Sequence, residues 1–194
     1  MKKFIVAVAV IASFGAGQAF AQGTDKMGKM GKEKTVMVGG AAMYPSKDII
    51  DNAVNSKDHT TLVAAVKAAG LVDTLKGPGP FTVFAPTNAA FAALPAGTVD
   101  TLLKPENKGM LTGILTYHVV PGRLDAKALM AQAKKMGGKT TLETVAGGEL
   151  TVEIKGNSVM VWDEKGNMAH VTISNVYQSN GVIHVVDKVL MPKS

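Results

Sequence analysis

The 194-residue chain contains no cysteine, which excludes disulfide bonds, thiolate nucleophiles and cysteine-based zinc or redox sites. Aromatic residues make up only 5% of it, too few for the stacking platforms that bind single-stranded nucleic acid. The nucleophile elbow of hydrolases, the zinc-protease helix motif and the glycine-rich phosphate loops are also missing. We therefore expect a protein that is not an enzyme and that has no catalytic residues, no cofactor and no metal site.

The first 21 residues have the pattern of a secretory signal peptide. Lys2 and Lys3 precede an apolar run at 4–11, and Ala19 and Ala21 form a small-residue cleavage site. A membrane anchor is the alternative, but the run is about half of the ~20 residues that span a bilayer. We predict cleavage after Ala21, export to the periplasm or the extracellular space, and no membrane span in the mature chain.

The formal charge of +6 lies mostly outside the predicted folded part. Residues 22–40 are rich in glycine, methionine and lysine and have no sustained apolar period, which predicts a flexible tail. Residues 48–192 hold equal numbers of basic and acidic side chains. We therefore place the folded domain at 41–192 and expect no nucleic-acid partner.

The hydrophobic pattern changes along this domain from helical to strand-like. An apolar stripe ending at Gly70 predicts a helix that Asp58 or Thr60 caps, and residues 81–85 read as a buried strand. From residue 139 apolar and polar residues alternate between glycine-containing turns, as in antiparallel hairpins. Helices followed by strands predict an α+β fold.

Isolated residues that could carry chemistry are more readily explained by packing. No two of the four histidines lie within five residues of each other: His59, His118, His170 and His184. A hydrolase would need two of the scattered His, Ser and Asp side chains within hydrogen-bond reach. Trp162 could support a sugar ring, but it shares a strand face with Ser158 and Met160 that we predict to be core.

Three segments together resemble the conserved motifs of fasciclin domains. They are residues 81–91 (FTVFAPTNAAF), 115–122 (LTYHVVPG) and 180–192 (NGVIHVVDKVLMP), in the family's order and with similar spacing. The chain is most similar to bacterial secreted members with a single domain. The resemblance implies a wedge of antiparallel β-sheet with several short helices packed around it, which agrees with the α+β prediction.

The resemblance also implies adhesion or binding rather than catalysis. Tyr117 and His118 match the family's Tyr-His motif, which suggests either a partner-binding site or a structural junction between helix and strand. The leading hypothesis is an exported module that binds a cell-surface or matrix protein or polysaccharide. The alternative is a carrier of a small apolar ligand, such as a pigment or lipid. Four further motif residues are predicted to determine the fold: Thr87, Asn88, His184 and Asp187.

Overall fold

The computed structural model describes residues 33–193, and the predicted signal peptide and residues 22–32 lie outside them. Residues 33–193 form nine strands: β1 (Val36–Val38), β2 (Ala41–Met43), β3 (Phe81–Pro86), β4 (Val119–Pro121), β5 (Lys139–Glu143), β6 (Glu149–Lys155), β7 (Ser158–Trp162), β8 (Met168–Gln178) and β9 (Gly181–Val186). In the same range lie seven α-helices: α1 (Ile49–Ala53), α2 (Thr60–Ala69), α3 (Val72–Lys76), α4 (Asn88–Ala92), α5 (Thr98–Leu102), α6 (Lys108–Tyr117) and α7 (Ala126–Lys135). The α+β prediction is confirmed.

Strands β3 to β9 form one seven-stranded sheet in the order β4-β3-β9-β8-β7-β6-β5. All neighbours are antiparallel except β3 and β9, which pair in parallel. The sheet is therefore mixed, whereas the sequence had suggested antiparallel pairing throughout. Turn signals reveal only hairpin partners, and β3 meets β9 across nearly a hundred intervening residues.

The two faces of the sheet bury separate apolar clusters. On β3 and β9, Val83 and Ile183 face one cluster together with α1, α2 and α6. Phe84 and Val186 face the second cluster, which also holds Leu129 of α7. Successive side chains of a strand point to opposite faces, so the nearly continuous apolar runs of β3 and β9 serve both clusters.

A short hairpin of β1 and β2 precedes the helices, and β1 lies ahead of residue 41, where the sequence places the start of the folded domain. Val38 and Met43 are each only 3% exposed and join the first cluster. Gly39 and Gly40 connect the strands with positive φ angles of 56° and 76°, as the tightest hairpin turns require. Three-residue strands are too short to show a period, so this part of the predicted tail was not recognised as folded.

Helix α2 is capped by a residue from another part of the chain, not by Asp58 or Thr60 as predicted. The Asn88 side chain accepts a hydrogen bond from the Thr61 backbone N–H at 3.0 Å. The same side chain donates to the Lys57 carbonyl at 2.8 Å. Asn88 therefore joins the first turn of α2 to the start of α4.

Candidate functional site

Tyr117 and His118 stand where α6 ends and β4 begins. Tyr117 is 0% and His118 is 2% exposed, so neither side chain is at the surface. The apolar side of α6 faces the first cluster, where Leu111, Ile114 and Leu115 are buried. The end of this helix therefore places Tyr117 and His118 inside the domain. In this conformation a macromolecular partner cannot touch either side chain.

The Tyr117 hydroxyl joins two segments of the sheet to α6. It donates to the Glu149 carbonyl at 2.7 Å and accepts from the Glu164 N–H at 3.1 Å. Burial raises the pKa of Tyr117 to about 12, so the hydroxyl keeps its proton at neutral pH. Gly148 leaves room for the ring, because a Cβ there would lie 2.8 Å from Tyr117 Cε2.

The His118 ring lies between a carbonyl oxygen and a backbone N–H. Its Nδ1 is 2.8 Å from the Ile114 carbonyl, and its Nε2 accepts from the Leu190 N–H at 2.9 Å. A carbonyl can only accept and an N–H can only donate, so the single proton is on Nδ1. Burial lowers the pKa of His118 to about 4, which keeps the ring neutral.

Residues 188–193, the C-terminal segment, follow β9 and have no strand partner of their own. Side chains accept three of its backbone hydrogen bonds: Leu190 donates to His118, Met191 to Asp163 (2.9 Å) and Lys193 to Glu164 (3.0 Å). Sequence reasoning missed Asp163 and Glu164, whose only signal is the turn before Gly166. His118 and these two carboxylates together hold the C-terminal segment against the domain, and Tyr117 accepts the N–H of Glu164 beside them.

The four motif residues predicted to determine the fold all hydrogen-bond backbone groups. Their partners are the Ala90 N–H for Thr87, the Thr61 N–H and Lys57 carbonyl for Asn88, the Leu124 carbonyl for His184, and the His170 N–H for Asp187. The His184 ring also stacks on Phe84, with 5.7 Å between centroids. Burial lowers the pKa of His184, so it too is neutral.

One serine and histidine do lie within hydrogen-bond reach, as a hydrolase would need. Ser56 Oγ is 2.9 Å from His59 Nδ1, three residues further on, just before α2. Both residues are buried, at 1% and 4% exposure, so a substrate cannot approach the hydroxyl. Among the described residues, no carboxylate hydrogen-bonds His59 Nε2 to orient the ring as a catalytic base requires. The contact is therefore a local structural one.

The histidines are not brought together into a metal site. Within residues 33–193, no group of three or more His, Asp and Glu side chains is placed to hold a metal ion. His170 is exposed on β8, and His184 belongs to the opposite face of the sheet from the first cluster. In the same part of the chain, no helix is both long and apolar enough to cross a membrane.

His59 and His118 line a common cavity inside the first cluster. Its other walls are almost entirely apolar and include Met43, Leu62 and Ile183. The volume is about 40 Å³. An engineered apolar cavity of ~150 Å³ binds one benzene molecule, and this cavity is much smaller.

Comparisons with known proteins agree on one family. The profile of the Fasciclin domain matches residues 57–192. Protein sll1483 of Synechocystis is 49% identical over 160 residues, which cover 82% of each chain. The cell surface glycolipoprotein MPB83 of Mycobacterium bovis is 38% identical over 160 residues, covering 80% of this chain and 64% of that protein.

A solved structure shares the fold at much lower identity. It is the FAS1 domain pair of the insect cell adhesion molecule Fasciclin I, which matches with a TM-score of 0.68 and 18% identity. The match covers 76% of this chain and 52% of that chain, so this protein spans about half of the pair. The sequence motifs, the mixed sheet and these matches lead to one conclusion: the chain belongs to the Fasciclin domain family.

Proposed function

We propose that this protein is an exported binding module that contacts a cell-surface or matrix component. The observation that carries the proposal is the 38% identity, over 80% of the chain, to a protein named as a cell surface glycolipoprotein. The match to an insect cell adhesion molecule and the signal-peptide pattern of residues 1–21 support the same class. None of the relatives named above carries the name of an enzyme.

The geometry supports binding by the outside of the domain. Tyr117, His118, His59 and His184 are enclosed and neutral, and three of them hold backbone groups. These residues make the domain a rigid support, and the contacts to a partner come from exposed side chains. The carrier alternative gains no support from the cavity of about 40 Å³.

Two measurements test the proposal. Mass spectrometry of the protein from fractionated cells of the source organism is expected to find it outside the cytoplasm with Gln22 as its first residue. A fluorescently labelled chain starting at Gln22 is expected to bind washed cells saturably and to be displaced by the unlabelled chain. Retention in the cytoplasm with residues 1–21 attached, or uptake that never saturates, would contradict the proposal.

A shortened chain provides the control for simple charge attraction. Residues 22–32 carry Lys26, Lys29 and Lys32 against Asp25, so they could adhere to anionic envelopes by themselves. A chain starting at Glu33 keeps the β1–β2 hairpin and the whole domain. It is expected to retain the saturable binding and to lose only a salt-sensitive background.

A further inference from the structure

Half of one sheet face is left open in the described part of the chain. Helices α1, α4 and α6 pack against β9, β3 and β4 on or around the first cluster, while α7 packs on the opposite face of β5 and β6. The open face consists of the side chains of β5, β6 and β7 that point away from α7: Lys139, Thr141, Glu143, Glu149, Thr151, Glu153, Lys155, Ser158, Met160 and Trp162. None of them belongs to either apolar cluster, but the face is only partly exposed, since Met160 and Glu153 are each 7% exposed.

Trp162 lies on this open face, partly buried and outside both apolar clusters, whereas Met160 on the same face is buried as predicted. Its neighbour Val161 is 0% exposed and packs towards α7, so Trp162 must point the other way. The strand register places Thr151 directly beside it and Thr141 one strand further on. This row spans about 10 Å, two strand spacings, which is the length of a disaccharide.

A hydrogen bond to Glu153 holds the Trp162 indole ring in place. Its Nε1–H donates to Glu153 Oε2 at 2.9 Å, and the Glu153 side chain is only 9% exposed. Lys155 and Lys139 approach the same carboxylate at 3.1 and 3.7 Å. The ring orientation is therefore fixed before any ligand arrives, which lowers the entropic cost of binding to it.

The chemistry around the ring is that of a sugar site. Hydroxyl and ammonium groups of β5 and β6 lie on one side of the Trp162 ring and Met168 of β8 lies on the other, so sugar hydroxyls can form hydrogen bonds while the ring packs against sugar C–H groups. The two lysines are offset by Glu143, Glu149 and Glu153, so the face has no excess of positive charge to attract a polyanion. A protein partner would favour exposed large apolar residues. None of the most exposed ones in the described part of the chain lies on this face.

We propose that the open face binds a neutral saccharide, with the Trp162 ring as the stacking platform and Thr151, Lys139 and Lys155 as polar contacts. The proposal rests on the proposed function, because it names the class of surface component that the module contacts. It assigns the partner to glycans and not to a surface protein.

Trp162 is the single tryptophan of the chain, so its fluorescence reports directly on this face. The full mature chain is titrated with short oligosaccharides of glucose and of N-acetylglucosamine, and with oligogalacturonate as an acidic counterpart. At least one neutral series is expected to change the emission saturably and to protect the indole from acrylamide quenching. Both readings use the unaltered protein, so they do not depend on whether a variant folds.

Calorimetry then compares two variants. Trp162→Ala is expected to weaken binding of the active oligosaccharide by about tenfold or more, the loss of a stacked ring. Tyr177→Ala is the matched control, since Tyr177 is also a partly exposed aromatic residue but lies on the other face of the sheet, on β8. It is expected to bind as the unaltered protein does.

The outcomes separate this proposal from the proposed function. No response to any neutral series, tighter binding of oligogalacturonate, or equal weakening by both variants would overturn the saccharide site. Cell binding that survives periodate oxidation of surface glycans but not protease treatment would indicate a protein partner and would likewise overturn it. If folded Trp162→Ala still binds cells saturably, the proposed function stands, but the open face is not the surface that binds.

Discussion

Acidification from pH 7 to pH 5 is expected to lower the free energy of unfolding by about 2 kcal/mol through His118 alone. The pKa of His118 is about 4 in the folded domain, against an ordinary value of 6.5 for an exposed histidine. Below pH 6.5 His118 therefore binds a proton in the unfolded chain. In the folded domain it does so only below about pH 4. Stability from this residue is complete above pH 6.5 and is lost progressively as the pH falls towards 4.

The magnitude follows from the two pKa values. At about 1.4 kcal/mol per pH unit, the whole difference amounts to about 3 kcal/mol, and roughly 2 of these fall between pH 7 and pH 5. His59 and His184 change stability in the same direction, because burial lowers their pKa values too. Carboxylates with lowered pKa values, such as Glu164, lose their contribution only below about pH 4.5.

Urea unfolding of the unaltered protein and of His118→Gln at several pH values between 7 and 5 provides the measurement. The glutamine cannot titrate, but its side-chain oxygen can still accept the Leu190 N–H. The variant is expected to be less stable at pH 7 and to lose about 2 kcal/mol less than the unaltered protein by pH 5. Parallel curves, or a His118 ring resonance that titrates near pH 6.5 in the folded protein, would refute the reasoning.

Three further changes test contacts described above through the same unfolding assay. Gly148→Ala is expected to lower the free energy of unfolding by about 1–3 kcal/mol, because the new Cβ meets the buried Tyr117 ring. Its control is Gly113→Ala on α6, where nothing lies within 4 Å of the added Cβ, and it is expected to raise the free energy of unfolding by about 0.5–1 kcal/mol. Changes of the same sign in both variants would contradict the contact between Gly148 and the Tyr117 ring. Tyr117→Phe removes two hydrogen bonds and is expected to cost about 1–3 kcal/mol while leaving cell binding unchanged; lost binding by the folded variant would restore a recognition role to Tyr117. Asn88→Ala is expected to cost about 1–2 kcal/mol and to speed amide exchange at Thr61, and unchanged exchange would show that Asn88 does not cap α2.

The periodic helices and strands could be predicted because a hydrophobic period depends only on residues that are close together in the sequence. In β6, Leu150 and Val152 are 0% exposed and alternate with Thr151 on the other face, as the pattern indicated. Asp125 caps α7 by accepting the Ala128 N–H at 2.8 Å, again as a neighbouring pair of residues predicts. Elements of this kind need no knowledge of the rest of the chain.

Features that depend on distant residues could not be predicted in the same way. The strand pattern shows that Ser158, Met160 and Trp162 share a face, but not whether helices cover that face. The alternatives for the Tyr-His pair stayed open for the same reason, because the Leu190 N–H that His118 binds is 72 residues away. The motif indicated which residues matter, and only the tertiary contacts show what they hold.

The position of β9 in the sheet has a consequence for how the protein is made. β9 lies between β3 and β8 and is the last strand in the described part of the chain, and the C-terminal segment that His118 holds follows it. During synthesis β3 and β8 cannot be joined until residues 181–186 have left the ribosome, so neither apolar cluster can close on a partly made chain. If the chain is exported unfolded, as proposed, this late closure of the sheet keeps the polypeptide unfolded until residues 181–186 have been made.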